Sequence, residues 1–135
     1  MADLTRRGTC MCQGIVYEVN DKPEQTVACY CKHCRLNAGS AFQITACYNK
    51  EQVKVLSGED LIGTWTLKDT ISGNDKHKRF CTRCGCTLWT VPMIYNGDKF
   101  MVRTSLLENG LEDLKPESEI FVSGKPSYLE SIKGL

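Results

Sequence analysis

The chain reads as an all-β protein. Short runs of alternating apolar and polar residues recur along it, and turn signals separate them at intervals of about ten residues. Three clusters of cysteine sit at the ends of such runs, where a metal could fasten strand ends together.

Composition sets the outer limits. The 135 residues make one ordinary domain with room for a core, and 41% of them are apolar, which excludes a disordered chain. Seventeen basic and sixteen acidic side chains leave a net charge of +1. Nothing in that balance calls for nucleic acid or an anionic membrane as partner. No run of about 18 apolar residues is present, so no spanning helix is expected. Residues 1–7 carry charges and no apolar stretch, unlike a secretory signal. Nine cysteines are then expected in a reducing, cytoplasmic setting, where metal binding outweighs disulfides; the odd count also suits a disulfide framework badly.

Residues 1–9 read as a polar lead-in to Cys10 and Cys12. Ile15, Tyr17 and Val19 then alternate with Val16 and Glu18, a strand pattern rich in β-branched and aromatic residues. Asn20 to Glu24 is a turn, and Thr26-Val27-Ala28 leads straight into Cys29. Cys31 to Ala38 reads as a knuckle passing into a short helix, with Gly39 as its C-cap. Ser40 to Tyr48 alternates again, with Phe42, Ile44, Ala46 and Tyr48 on one face and Gln43, Thr45 and Cys47 on the other.

Val53 to Leu56 and Leu61 to Leu67 are the next strands, followed by a polar loop over 69–76. His77 to Phe80 runs into Cys81, repeating the design of a strand ending in cysteine. Cys81-Thr82-Arg83-Cys84-Gly85 has the form of a zinc knuckle, with Gly85 supplying the backbone freedom its turn needs. Thr87 to Val91 is a strand, Asn96-Gly97 a hairpin signal, and Phe100 to Ser105 its partner. Leu106 to Pro116 is loop with room for one helical turn, and Glu117 to Val122 is a last strand.

The chemistry lies in the clusters. Structural zinc takes four protein ligands, while catalytic zinc keeps an open position. Cys10, Cys12, Cys81 and Cys84 supply one complete set, and Cys29, Cys31 and Cys34 supply three thiolates. The central three are therefore candidates for both metal binding and catalysis. Two rival pairings stay open: Cys47, Cys86 or His33 completes the central set, or Cys86 replaces Cys84 in the outer one. Cys47 reads more simply as a small buried hydrophobe. Tyr30 and His33, lying among the central cysteines, are candidate catalytic helpers: His33 as a proton shuttle or a surface residue, Tyr30 as a pocket wall or a core side chain. Lys32, Arg35, Lys76, Lys78 and Arg79 could hold substrate carboxylates, or form a solvated face.

The order Cys10-x-Cys12-x-Gly14, Cys29-x-Cys31-x-x-Cys34-Arg35 with Gly39-Ser40-x-Phe42, and Phe80-Cys81-x-x-Cys84-Gly85 resembles the glutathione-dependent formaldehyde-activating enzyme family. The tail from Glu119 to Ser127 resembles the family's endings, so the likeness covers nearly the whole chain. It implies an Mss4-like β-tent of antiparallel sheets in a single zinc domain over residues 1–135. It also implies two Zn2+ ions: one structural, on Cys10, Cys12, Cys81 and Cys84, and one at an active site on Cys29, Cys31 and Cys34. The implied activity joins formaldehyde to glutathione as S-hydroxymethylglutathione, a carbon–sulfur lyase reaction run in reverse. The implied partners are small molecules, with a homo-oligomer allowed. Another carbonyl or thiol metabolite as substrate, or a zinc-stabilised binding module without catalysis, are the alternatives. The chain departs from the family pattern at Tyr30, where His is common, at Cys86, and at Tyr128, where the family ends on Trp.

Overall fold

The computed structural model describes residues 4–135. Met1, Ala2 and Asp3, the start of the expected lead-in, lie outside the described residues. The end of that lead-in is a strand instead: Arg6–Thr9 (β1) pairs antiparallel with Val16–Val19 (β2), Arg6 opposite Val19 and Thr9 opposite Val16. Its two arginines conceal the pattern. The ladder with β2 holds it, and Gly8 leaves room for the Tyr17 ring close to the backbone. A Cβ there would sit 2.5 Å from that ring. Arg6 is then anchored by Asp113 at 2.6 Å.

Val53–Ser57 (β5) completes a three-stranded sheet in the order β1-β2-β5. The second sheet has seven strands: Gln25–Cys29 (β3), Gln43–Asn49 (β4), Ile62–Leu67 (β6), Lys76–Cys81 (β7), Thr87–Pro92 (β8), Lys99–Arg103 (β9) and Ser118–Ile120 (β10). Their order is β10-β3-β4-β9-β8-β7-β6. The pairs are antiparallel except β10 with β3, where Ser118 lies opposite Val27 and Ile120 opposite Cys29 in a parallel register. Among the described residues two α-helices accompany the strands, Lys32–Ala38 (α1) and Gly110–Asp113 (α2). The all-β class and its strand positions follow the alternation in the sequence, with β1 added and one parallel pair among otherwise antiparallel ladders.

The core fills the space between the sheets. Tyr17 and Val19 from the small sheet, with Ile15 just before β2, meet Ala46, Tyr48, Leu88, Trp89 and Val102 from the large one. The Tyr17 ring meets Trp89 edge-on at 5.1 Å, and Phe100 stacks on the other side of the indole at 5.5 Å. Strand β4 is buried on both faces along most of its length. Ala46 and Tyr48 enter this core, while Gln43 and Thr45 on the opposite face line a cavity.

Candidate metal centres and the cavity beside them

The outer cluster is built from two turns. Cys10 follows β1, and the chain reverses so that the Gln13 amide donates to the Cys10 carbonyl at 3.0 Å. Cys81 ends β7, and Gly85, at φ 78°, lets its amide return to the Cys81 carbonyl at 2.7 Å. Both turns aim backbone amides at sulfur. Ile15 donates to Cys10 Sγ at 3.3 Å, and Arg83 and Cys84 each donate to Cys81 Sγ at 3.4 Å. The Arg83 Nε donates to Cys12 Sγ at 3.3 Å.

The four sulfurs lie within 4.8 Å of one another, with Cys10–Cys12 at 3.5 Å and Cys12–Cys81 at 3.7 Å. A zinc tetrahedron with bonds of about 2.3 Å has sulfur–sulfur edges of about 3.8 Å, so the donor set fits that ion. The Gly14 amide and the Arg83 guanidinium draw Cys12 down to about 6, while burial pushes Cys10 up to about 11.

The central cluster is local. Cys29 closes β3 and is buried; Cys31 is the N-cap of α1, its sulfur accepting from the Cys34 amide at 3.4 Å. Helix α1 stops at Gly39, whose φ of 64° and bond to the Arg35 carbonyl form the C-cap expected there. The sulfurs of Cys29, Cys31 and Cys34 lie within 4.8 Å of one another, and among the described residues no fourth Cys, His, Asp or Glu joins them. The rival ligands are elsewhere. Cys47 Sγ donates to Glu24 Oε2 at 3.6 Å, Cys86 Sγ faces the Thr87 carbonyl at 3.8 Å, and Cys86 is outside the outer group as well. The hydrogen bond from Cys34 holds Cys29 down at about 6, and the same contact pushes Cys34 upward. One thiol ionises readily and its neighbour resists. This set too fits a soft cation, with one coordination position left over.

The three central sulfurs open on a cavity of about 670 Å³. Lys32 and His33 from α1 line it, with Lys76 at the start of β7 and Asp69 in the loop after β6. Arg35, Lys78 and Arg79, grouped with these cations in the sequence, are not among the lining residues.

Tyr30 is absent from the cavity wall and takes the core position that the sequence left open beside the pocket-wall reading. Its buried hydroxyl donates to Glu119 Oε2 at 2.6 Å, and Lys125 Nζ donates to Glu119 Oε1 at 3.1 Å. The same ammonium sits 5.0 Å from the Tyr30 ring centroid, and Phe42 packs on the ring at 5.1 Å. Burial raises the Tyr30 phenol to about 12, and the Tyr30 bond holds the Glu119 carboxyl below its usual range. Tyr30 therefore latches β10 to the cysteine knuckle.

A polar network supports the centre from behind. Gln43 Nε2 donates to Cys34 Sγ at 3.7 Å. Its Oε1 accepts from Asn37 Nδ2 at 3.1 Å and from Arg103 Nε at 3.0 Å. Arg103 also donates to the Asn37 carbonyl, and Thr87 donates to Asn37 Oδ1 at 3.0 Å. These four residues went unread in the sequence because they come from α1, β4, β8 and β9. The single available signal was Gln43, a polar residue at a buried position of an apolar strand.

Comparison with known proteins follows from this geometry. The family model described as glutathione-dependent formaldehyde-activating enzyme matches residues 5–124. A crystal structure of a Rhodobacter sphaeroides protein superposes with a TM-score of 0.65 at 21% identity, covering 84% of this chain and 98% of that one. No curated protein matches the chain.

Proposed function

The chain belongs to the glutathione-dependent formaldehyde-activating enzyme family, and from that premise we propose that it is a zinc-dependent enzyme of the carbon–sulfur lyase type. Its reaction makes or breaks the bond between the glutathione sulfur and the formaldehyde carbon. The observation that carries this reading is the central triad: three sulfurs, no fourth protein ligand among the described residues, and a cavity in front of them.

Cys29, Cys31 and Cys34 would hold the catalytic zinc, and Cys10, Cys12, Cys81 and Cys84 a structural one. Zinc bound at the triad would supply Lewis acidity and lower the pKa of a thiol beside it. The chain's own residues do the rest. Lys32 and Lys76 offer two cations and Asp69 one anion, which matches the two carboxylates and one ammonium of glutathione. His33 lines the same wall, and in this reading it carries the thiol proton to the carbonyl oxygen as the carbon–sulfur bond forms. Gln43 keeps Cys34 in position. The domain acts as one unit in a reducing cytoplasm, consistent with nine free cysteines, and no described helix is long and apolar enough to cross a membrane.

The test is turnover of S-hydroxymethylglutathione by protein carrying two zinc ions. The wild type accelerates formation and breakdown of the adduct, while Cys31→Ser keeps its fold, loses one zinc and falls to the background rate. A folded two-zinc protein no faster than buffer sinks the proposal.

A further inference from the structure

Formaldehyde has one carbon, yet the cavity's mouth carries apolar side chains that so small a carbonyl would never touch. Ile71 from the loop after β6, Ile94 and Tyr95 from the turn between β8 and β9, and Ile120 and Phe121 from the end of β10 all line it. They stand open to solvent: Ile71 is 81% exposed, Ile94 51% and Phe121 48%. Isolated exposed apolar residues need no account, but five converging from three segments on one cavity do. A volume of about 670 Å³ is also that of a site for a ligand well beyond formaldehyde in size.

Phe121 adds a second, independent observation. Its backbone is left-handed, φ 55° and ψ 42°, a conformation rare for a bulky side chain. The surroundings hold it there. The Tyr30 amide donates to the Ile120 carbonyl at 3.1 Å, and Gly124 closes so tightly on the Tyr30 carbonyl that a Cβ would lie 2.4 Å from it. Glu119, two residues back, is bonded to the Tyr30 hydroxyl. A strained backbone kept in place by its neighbours, at the mouth of a reactive cavity, marks a side chain aimed for a purpose.

We propose that, beside formaldehyde, the site takes aldehydes that carry an apolar chain, received at this lip, and that Phe121 sets the longest chain preferred. This rests on the thiol–aldehyde reading above. The thiol sulfur adds to the aldehyde carbon, the π pair of the C=O bond moves to oxygen, and the thiol proton ends on that oxygen. The product is a hemithioacetal, and nothing is oxidised or reduced. The adduct then spans both halves of the cavity, its peptide part toward Lys32, Lys76 and Asp69 and its alkyl part against Ile94 and Phe121.

S-alkylglutathiones mimic that adduct without reacting, so binding can be read apart from turnover. Calorimetry on the two-zinc protein with S-methyl-, S-propyl- and S-hexylglutathione should show affinity rising about threefold per methylene over the first few carbons. Phe121→Ala, and separately Ile94→Ser, should flatten that slope, weakening S-hexylglutathione most and S-methylglutathione least; both positions are exposed, so the fold tolerates them. Binding of S-methylglutathione with no dependence on chain length overturns the inference and leaves the glutathione reading standing. No binding by any member of the series overturns both. A flat slope accompanied by a concentration-dependent dimer in sedimentation assigns the lip to a second copy of the chain, and also overturns it.

Discussion

The two cysteine clusters are built from the same parts and end up as opposites. Each places a cysteine at the end of a strand and follows it with a tight turn whose amides point at sulfur. The outer one joins Cys12 to Cys81 across 69 residues and completes its tetrahedron with protein sulfur alone. The central one draws its three sulfurs from a six-residue stretch and stops there, facing a cavity. A site that gathers distant segments constrains the fold, and a closed ligand set leaves it nothing to react with. A site that gathers neighbours constrains little, and an incomplete ligand set leaves it available.

The sharpest way to break that contrast is to remove one ligand from each. Cys81→Ser should leave the chain unfolded at room temperature, because a structural zinc contributes on the order of 10 kcal/mol, comparable to the whole stability of a small domain. Cys31→Ser should retain a cooperative thermal transition and the far-ultraviolet dichroism of the wild type. If the two variants melt alike, the division into scaffold and reaction centre is wrong.

A smaller effect tests whether the central site is supported from behind. Gln43→Ala removes the amide donor to Cys34 and the acceptor shared by Asn37 and Arg103. Zinc affinity at the central site should fall by about 10- to 100-fold, with the outer site unchanged. Competition with a chromogenic chelator separates the two ions, and equal weakening at both would contradict the assignment.

An effect of comparable size concerns Tyr30. Tyr30→Phe deletes a hydrogen bond to a carboxylate and should cost about 1.5–3 kcal/mol of stability at neutral pH. Glu119 has a lower pKa folded than unfolded, so its stabilisation is complete above the ordinary carboxylate value of about 4.3 and is lost as pH falls through the folded value. The gap between wild type and variant should therefore close on acidification. A gap that persists at pH 2–3 would trace the loss to packing.

Much of this was legible because local chemistry carried it. The strands announced themselves by alternation, α1 by its stop at Gly39, and the outer ligands by two tight turns, the second a CxxC with a glycine after it. The failures share one cause, which is that the deciding partner lies far away in sequence. Strand β1 is set by its ladder with β2 and the room Gly8 leaves for Tyr17, not by any pattern in Arg6-Arg7. Tyr30 lies between two metal-ligand candidates, and only the parallel return of β10 reveals that it points at Glu119. The support of Cys34 by Gln43 depends on residues from α1, β4, β8 and β9 that alternation cannot bring together.

The 69-residue gap in the outer cluster has a consequence during synthesis. Cys29, Cys31 and Cys34 leave the ribosome almost together, and they can capture an ion while half the chain is still unmade. The outer set cannot close until Cys84 has emerged. On the proposed division, an ion at the central three would contribute least to the finished fold and be taken up first, and an ion at the outer four would arrive only when there is a fold to hold.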